Sequence, residues 1–153
     1  MFEAIEKLAK RAHELNNDLI MRSIFEQEPD FKELVIELNT NNQLFEGIDS
    51  NGVTLSSIGG KYADVTIAFK RSNSQPFDRV TLKDTGAFYE SFNVRYEMGG
   101  IVIDADTIKE GDDLRERWGN DILGLTDESI EKLVFFLVPL IVEFIGDYLT
   151  QDL

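Results

Sequence analysis

The residues best equipped for chemistry in this chain are carboxylates. Asp84-Thr85-Gly86-Ala87 matches the nucleophile loop of aspartic proteases, where a carboxylate shares a proton with its symmetry partner. The surroundings do not fit that use. Lys83 precedes the motif where apolar strand residues belong, and no second apolar-apolar-Gly element follows to pack the loop. A turn over residues 85–91, with Asp84 as its cap accepting an orphan backbone N–H, is the better account. Asp104, Asp106, Glu110, Asp112, Asp113 and Glu116 supply oxygens of the kind a hard cation takes. Their spacing is wrong for a calcium loop: Ile108 stands at the third ligand position, position six is not glycine, and Asp49-x-Asn51 fails likewise at Val53. His13, the one histidine, sits on the polar side of a helical stretch, and no Ser–His–acid or zinc arrangement can be assembled around it. Gly59-Gly60-Lys61 lacks the frame of a phosphate loop and reads as a turn. The expectation is a chain with no catalytic residue, no cofactor and no metal site.

Composition narrows the class further. A length of 153 residues, 42% hydrophobic with eleven Phe, suits one domain over 1–153 that buries a core without crosslinks. Absence of cysteine excludes disulfides, a thiolate nucleophile and Cys-bound zinc. The net charge of −14 opposes affinity for phosphate backbones and anionic lipid, so neither specific nucleic-acid binding nor a membrane partner is expected. The start, MFEAIEKLAKRAHEL, carries charge in every turn and lacks the apolar stretch of a secretory signal, which implies synthesis in the cytoplasm. The run LVFFLVPLIV at 133–142 is about half of the roughly 20 residues that span a bilayer. Bracketed by Glu131, Lys132, Glu143 and Asp147, it is expected in a protein interior.

The elements that would position these groups follow from periodicity. Ile5, Leu8, Ala12, Leu15 and Leu19 recur at threes and fours, predicting one helix over about 2–25 in an N-terminal helical region 1–27. Pro29-Asp30 ends it or starts the next element. Residues 34–38, LVIEL, read as a buried strand, followed by a short helix capped by Thr40 and running through Leu44, Phe45 and Gly47. Asp49-Ser50-Asn51-Gly52 is a turn. Within 62–105, alternation of Val65, Ile67 and Phe69 predicts a strand over 62–70, and a polar loop follows at 72–78. Phe92, Val94 and Tyr96 then alternate with Asn93, Arg95 and Glu97, and Gly99-Gly100 turns the chain into Ile101-Val102-Ile103, a half-buried hairpin. Residues 104–120 form a charged connection carrying Leu114 and Trp118.

Thr126 caps a C-terminal helix over 126–150, with Asp127 and Glu128 in the first turn where the helix dipole favours them. Ile130, Leu133, Val134, Leu137, Val138, Ile141, Ile145 and Tyr148 make one apolar face; Phe135, Phe136, Leu140, Val142 and Phe144 make a second. A helix apolar on two sides is buried on both, and in a small domain the second side needs another subunit. Pro139 inside it predicts a kink. The expected fold class is α+β: long N-terminal and C-terminal helices packed on an antiparallel β-sheet containing a hairpin.

Several of these segments in succession resemble a known family. Thr66 to Lys70, a polar loop, Leu82-Lys83-Asp84-Thr85-Gly86-Ala87-Phe88, Ser91-Phe92, a Gly-turned hairpin, and Ile122-Leu123-Gly124-Leu125-Thr126 before the last helix look like the virion-morphogenesis proteins of tailed bacteriophages, the neck, head-tail joining or tail-completion proteins. The resemblance implies a non-enzymatic structural protein of the virion, made in the host cytoplasm. It would be repeated as a homo-oligomeric ring between portal and tail, beside other neck, portal or tail proteins, with DNA passing nearby. On that reading Phe135, Phe136, Leu140 and Phe144 divide between core and subunit contact, and the loops bearing Gln75, Pro76, Phe77, Asp112, Asp113 and Trp118 face neighbouring rings. The alternative is an acidic inhibitory module that mimics DNA, offering the carboxylates of 104–116 to a basic host protein.

Overall fold

The N-terminal apolar stripe folds as two helices, not one. The computed structural model, which describes residues 1–97 and 99–152, places α1 at Phe2–Glu14 and α2 at Asn17–Gln27. Leu15 is extended, and Asn16 Oδ1 accepts the Leu19 N–H at 2.9 Å, so Asn16 restarts the helix as its N-cap. The 3-and-4 spacing ran through this break and hid it. Pro29 then stands in the first turn of α3, Pro29–Thr40, where its missing N–H costs nothing.

α3 overturns the strand expected at 34–38. Phe31, Val35 and Leu38, spaced by four and three, are buried together, while Ile36 reaches the opposite side. A helix covered on two sides shows an unbroken apolar run, which periodicity alone cannot tell from a buried strand. Thr40 is no cap either: its hydroxyl donates back to Ile36 C=O at 2.7 Å, and the residues after it make only a 3-10 turn, Leu44–Glu46. The turn at 49–52 does form, Asp49 Oδ1 accepting the N–H groups of Asn51 and Val53, each at 2.9 Å.

A second expected strand, 62–70, is also helical. After α4, Leu55–Gly59, comes α5 at Asp64–Ser72. Val65 and Phe69 point to solvent, whereas Thr66 and Ile67 are half-buried and Lys70 is only 3% exposed. Lys70 Nζ donates to Lys83 C=O at 2.6 Å and lies 5.0 Å from the Tyr62 ring centroid, so a residue assigned to an outward strand face is an anchor. The segment expected as a capped turn is α6, Ala87–Glu90, but Asp84 does not cap it. Thr85 Oγ1 accepts the Ala87 N–H at 3.3 Å, and the Asp84 carboxylate pairs with Lys109 at 2.8 Å.

The hairpin forms as its alternation requires. β1, Asn93–Glu97, pairs antiparallel with β2, Gly100–Asp104, Val94 opposite Ile103 and Tyr96 opposite Ile101. Gly99 turns the chain at φ +88°, a conformation that L side chains avoid. The charged connection is more ordered than its composition suggests: β3, Ile108–Lys109, pairs with β4, Asp112–Asp113, and Asp113 caps α7, Leu114–Trp118. α8 runs Asp127–Thr150 from the Thr126 cap. The fold is α+β, with long helices at both ends and two small antiparallel sheets.

Two apolar clusters fill it. One gathers Ile24, Phe25, Phe31, Val35, Leu38, Val94, Leu133 and Leu137, from α2, α3, β1 and α8. The other gathers Leu44, Leu55, Leu82, Phe88, Phe92, Trp118 and Ile122, and Ile36 and Ile103 pack against both. What fixes α8 to this body is polar. Asn39, in the last turn of α3, and Gln43, three residues beyond it, are 0% and 1% exposed. Asn39 Nδ2 donates to Ile122 C=O at 3.0 Å, and its Oδ1 accepts the Gly124 N–H at 2.8 Å. Gln43 Nε2 donates to Gly124 C=O at 2.8 Å, and its Oε1 accepts the Thr126 N–H at 2.9 Å. Two side-chain amides thus take four backbone groups of residues 122–126, the segment that launches α8. Asn39→Ala leaves the Gly124 N–H and the Ile122 C=O buried and unpaired, and should lower unfolding free energy by about 2–4 kcal/mol in urea titration.

Candidate assembly surface

α8 divides lengthwise. Leu133 and Leu137 are buried, and Phe136, Leu140 and Ile141 pack half-covered against the same cluster, which contacts α2 and α3. On the opposite side Ile130, Val134, Phe135, Val138 and Val142 are open to solvent, Phe135 at 86% of its surface. Four of these, Ile130, Val134, Val138 and Val142, recur every fourth residue and so form one continuous stripe about 18 Å long. The two faces read from sequence are therefore repartitioned: Ile130, Val134 and Val138, assigned with Leu133 and Leu137, face outward. The run at 133–142 is not interior along its whole circumference. A cue was present, since Glu131 precedes Val138 by one heptad and Val142 by eleven residues, and a charge in that line marks the outward side.

The four residues expected to divide between core and subunit contact lie in three different settings. Phe135 joins the open stripe, while Phe136 and Leu140 turn to the core. Phe144 is half-buried, stacked on Tyr148 with centroids 5.8 Å apart, on the wall of a groove of about 530 Å³ shared with Ile24 and Glu28.

The loop residues expected to meet neighbours fare unevenly. Phe77 is exposed beneath the Arg71 guanidinium, 4.6 Å from its centroid, and Asp112 is exposed. Pro76 is half-buried, and Gln75 is tied inward by donating to Asp84 C=O at 3.0 Å. Asp113 caps α7 and pairs with Arg115 at 2.9 Å, which holds its carboxyl well below the usual carboxylate range. Trp118 is buried and packed so closely on Gly59 that no Cβ fits there. It packs into the chain's own core.

Of the carboxylates weighed from sequence, Asp84 is partnered by Lys109, whose hydrogen bond holds it below the usual range. Among the described residues no three His, Cys, Asp or Glu side chains gather as a cation site. A groove of about 520 Å³ between α5 and residues 82–85 is lined by Val65, Phe69, Lys70, Lys83 and Lys109. It lacks an acid–base pair in mutual reach beyond the Asp84–Lys109 ion pair.

α1 contributes a second open surface. None of its residues is buried, and Phe2, Ile5 and Leu8 are exposed along one side. Its polar contacts with the end of α8 come from its last turn: Arg11 donates to the carbonyls of Leu149 and Gln151, and Tyr148 Oη lies 3.5 Å from Glu14.

The two sides of α8 should respond oppositely to mutation. Leu137→Ala removes a buried side chain and should cost about 2–4 kcal/mol, whereas Val138→Asp on the open stripe should leave urea stability within about 0.5 kcal/mol. Loss of stability by both variants to the same extent would refute the repartition. No family model, curated protein or solved structure matches the chain.

Proposed function

We propose that this chain is a non-enzymatic structural subunit that becomes complete by assembly through the open side of α8, in the manner of a neck, head-tail joining or tail-completion ring of a tailed-phage virion. The observation that carries the reading is the stripe Ile130, Val134, Phe135, Val138 and Val142, contiguous apolar surface on a helix whose other side is already packed. The segments that bear the family resemblance support it by being architectural. Leu82, Phe88, Phe92 and Ile122 meet in one cluster, and Lys70 reaches back to Lys83 C=O. Such residues build a scaffold. A charge of −14 suits a ring wall that DNA passes without sticking.

The acidic-inhibitor reading draws on residues 104–116, where Asp104 lies 3.8 Å from Arg95 and Asp113 is paired with Arg115. Two of the six carboxylates are thus compensated within the chain, which weakens them as phosphate surrogates. By length and composition α8 could also cross a bilayer. Against that use, it carries Glu143 and Asp147 and packs one side on α2 and α3.

Sedimentation of the full chain from about 1 to 300 µM, with and without added vesicles, separates these readings. The expected outcome is mass that rises with concentration for the wild type. The Phe135→Asp/Val138→Asp double variant should stay monomeric with an unchanged circular dichroism spectrum. A wild type that stays monomeric throughout, or one that leaves solution for the vesicles, would overturn the proposal.

A further inference from the structure

The open stripe of α8 and the open stripe of α1 fit each other in length and in apolar character, but not within one chain. Glu14 lies beside Tyr148, and Arg11 beside Leu149 and Gln151, so α1 runs antiparallel to α8 and carries its first two turns past the end of it. That geometry leaves Phe2, Ile5 and Leu8 unpartnered and keeps them away from Ile130 and Val134 at the other end of α8. Building on the assembly reading above, we infer that the occupant of the α8 stripe is α1 of a second copy.

Three observations favour this occupant. Phe2, Ile5, Leu8, Ala9 and Ala12 lie on one side of α1 over about 15 Å, against about 18 Å for Ile130 to Val142. A narrow helix face that mixes alanine with Phe, Ile and Leu meets a row of β-branched residues as ridges meet grooves. Charge then discriminates between partners. α8 carries Asp127, Glu128, Glu131, Glu143 and Asp147 against Lys132 alone, so pairing two α8 stripes sets carboxylates against carboxylates at both ends. α1 instead carries Lys7, Lys10 and Arg11 against Glu3, Glu6 and Glu14, so it adds no net charge opposite the acidic α8.

The consequence concerns symmetry. A contact between α1 and α8 uses two different surfaces, so each copy donates at one end and accepts along the other. Such a heterologous contact propagates, and closes into a ring when the rotation permits. A self-complementary α8 contact would stop at a dimer.

The chain has no cysteine, which makes the test direct. Ile5→Cys and Leu8→Cys variants, all at exposed positions, are each mixed with Val134→Cys and Val138→Cys variants in equal amounts and oxidised mildly. The expected product is a mixed disulfide between an α1 variant and an α8 variant, several-fold more abundant than the α8–α8 homodimer. Lys7→Glu/Lys10→Glu should raise the concentration for half-assembly by about tenfold or more. Assembly with α8–α8 disulfides in preference, or with no α1–α8 disulfide at any pairing, overturns the inference and leaves the assembly reading standing. A wild type monomeric at every concentration overturns both.

Discussion

Two buried amides decide what this protein can show to a partner. Asn39 and Gln43 take the N–H and C=O of Gly124, the C=O of Ile122 and the N–H of Thr126. Buried amides of this kind are tolerated only when fully paired, so the loop before α8 has one conformation that satisfies them. Thr126, held in that loop, then caps α8 through the Ser129 N–H. The direction and rotation of the last helix are therefore set by α3. With rotation fixed, Leu133 and Leu137 enter the core and Val134, Phe135 and Val138 cannot.

The remainder of the fold supports that arrangement. The cluster under α8 takes Val94 and half-buried Tyr96 from the hairpin and Phe25 and Phe31 from α2 and α3, Phe25 and Phe31 meeting edge to face at 6.1 Å. The second cluster holds the short helices together, and Ile36 and Ile103 tie the two into a continuous interior. The covered sides of α8 and the exposed side thus follow from one packing solution. An apolar stripe left outside it is surplus that folding does not use, and on the proposed reading assembly covers it.

Features with local causes were legible in the sequence. The α8 cap, its acidic first turn, the hairpin with its glycine turn and the Asp49 turn each depend on residues within a few positions of one another. Those with distant causes were not. α3 read as a strand because both of its sides are covered, and α5 read as one because alternation cannot reveal that Lys70 bonds a carbonyl thirteen residues on. The α1–α2 break was masked by a stripe that continues past the cap at Asn16. Asn39 and Gln43 escaped notice because a polar residue at a helix end carries no mark of the backbone it will meet more than eighty positions later. The candidate surface was half legible: the excess of apolar residues on α8 was plain, but which of them face outward needed the rotation that the amides impose.

The central claim is that the outward side of α8 is covered by protein in the working state. Hydroxyl-radical footprinting reads this at single side chains, with Phe135 as reporter and exposed Phe77, remote from the stripe in sequence, as internal reference. The account predicts that Phe135 labelling falls several-fold between dilute and assembled protein while Phe77 labelling holds. Equal labelling of Phe135 in both states would contradict it.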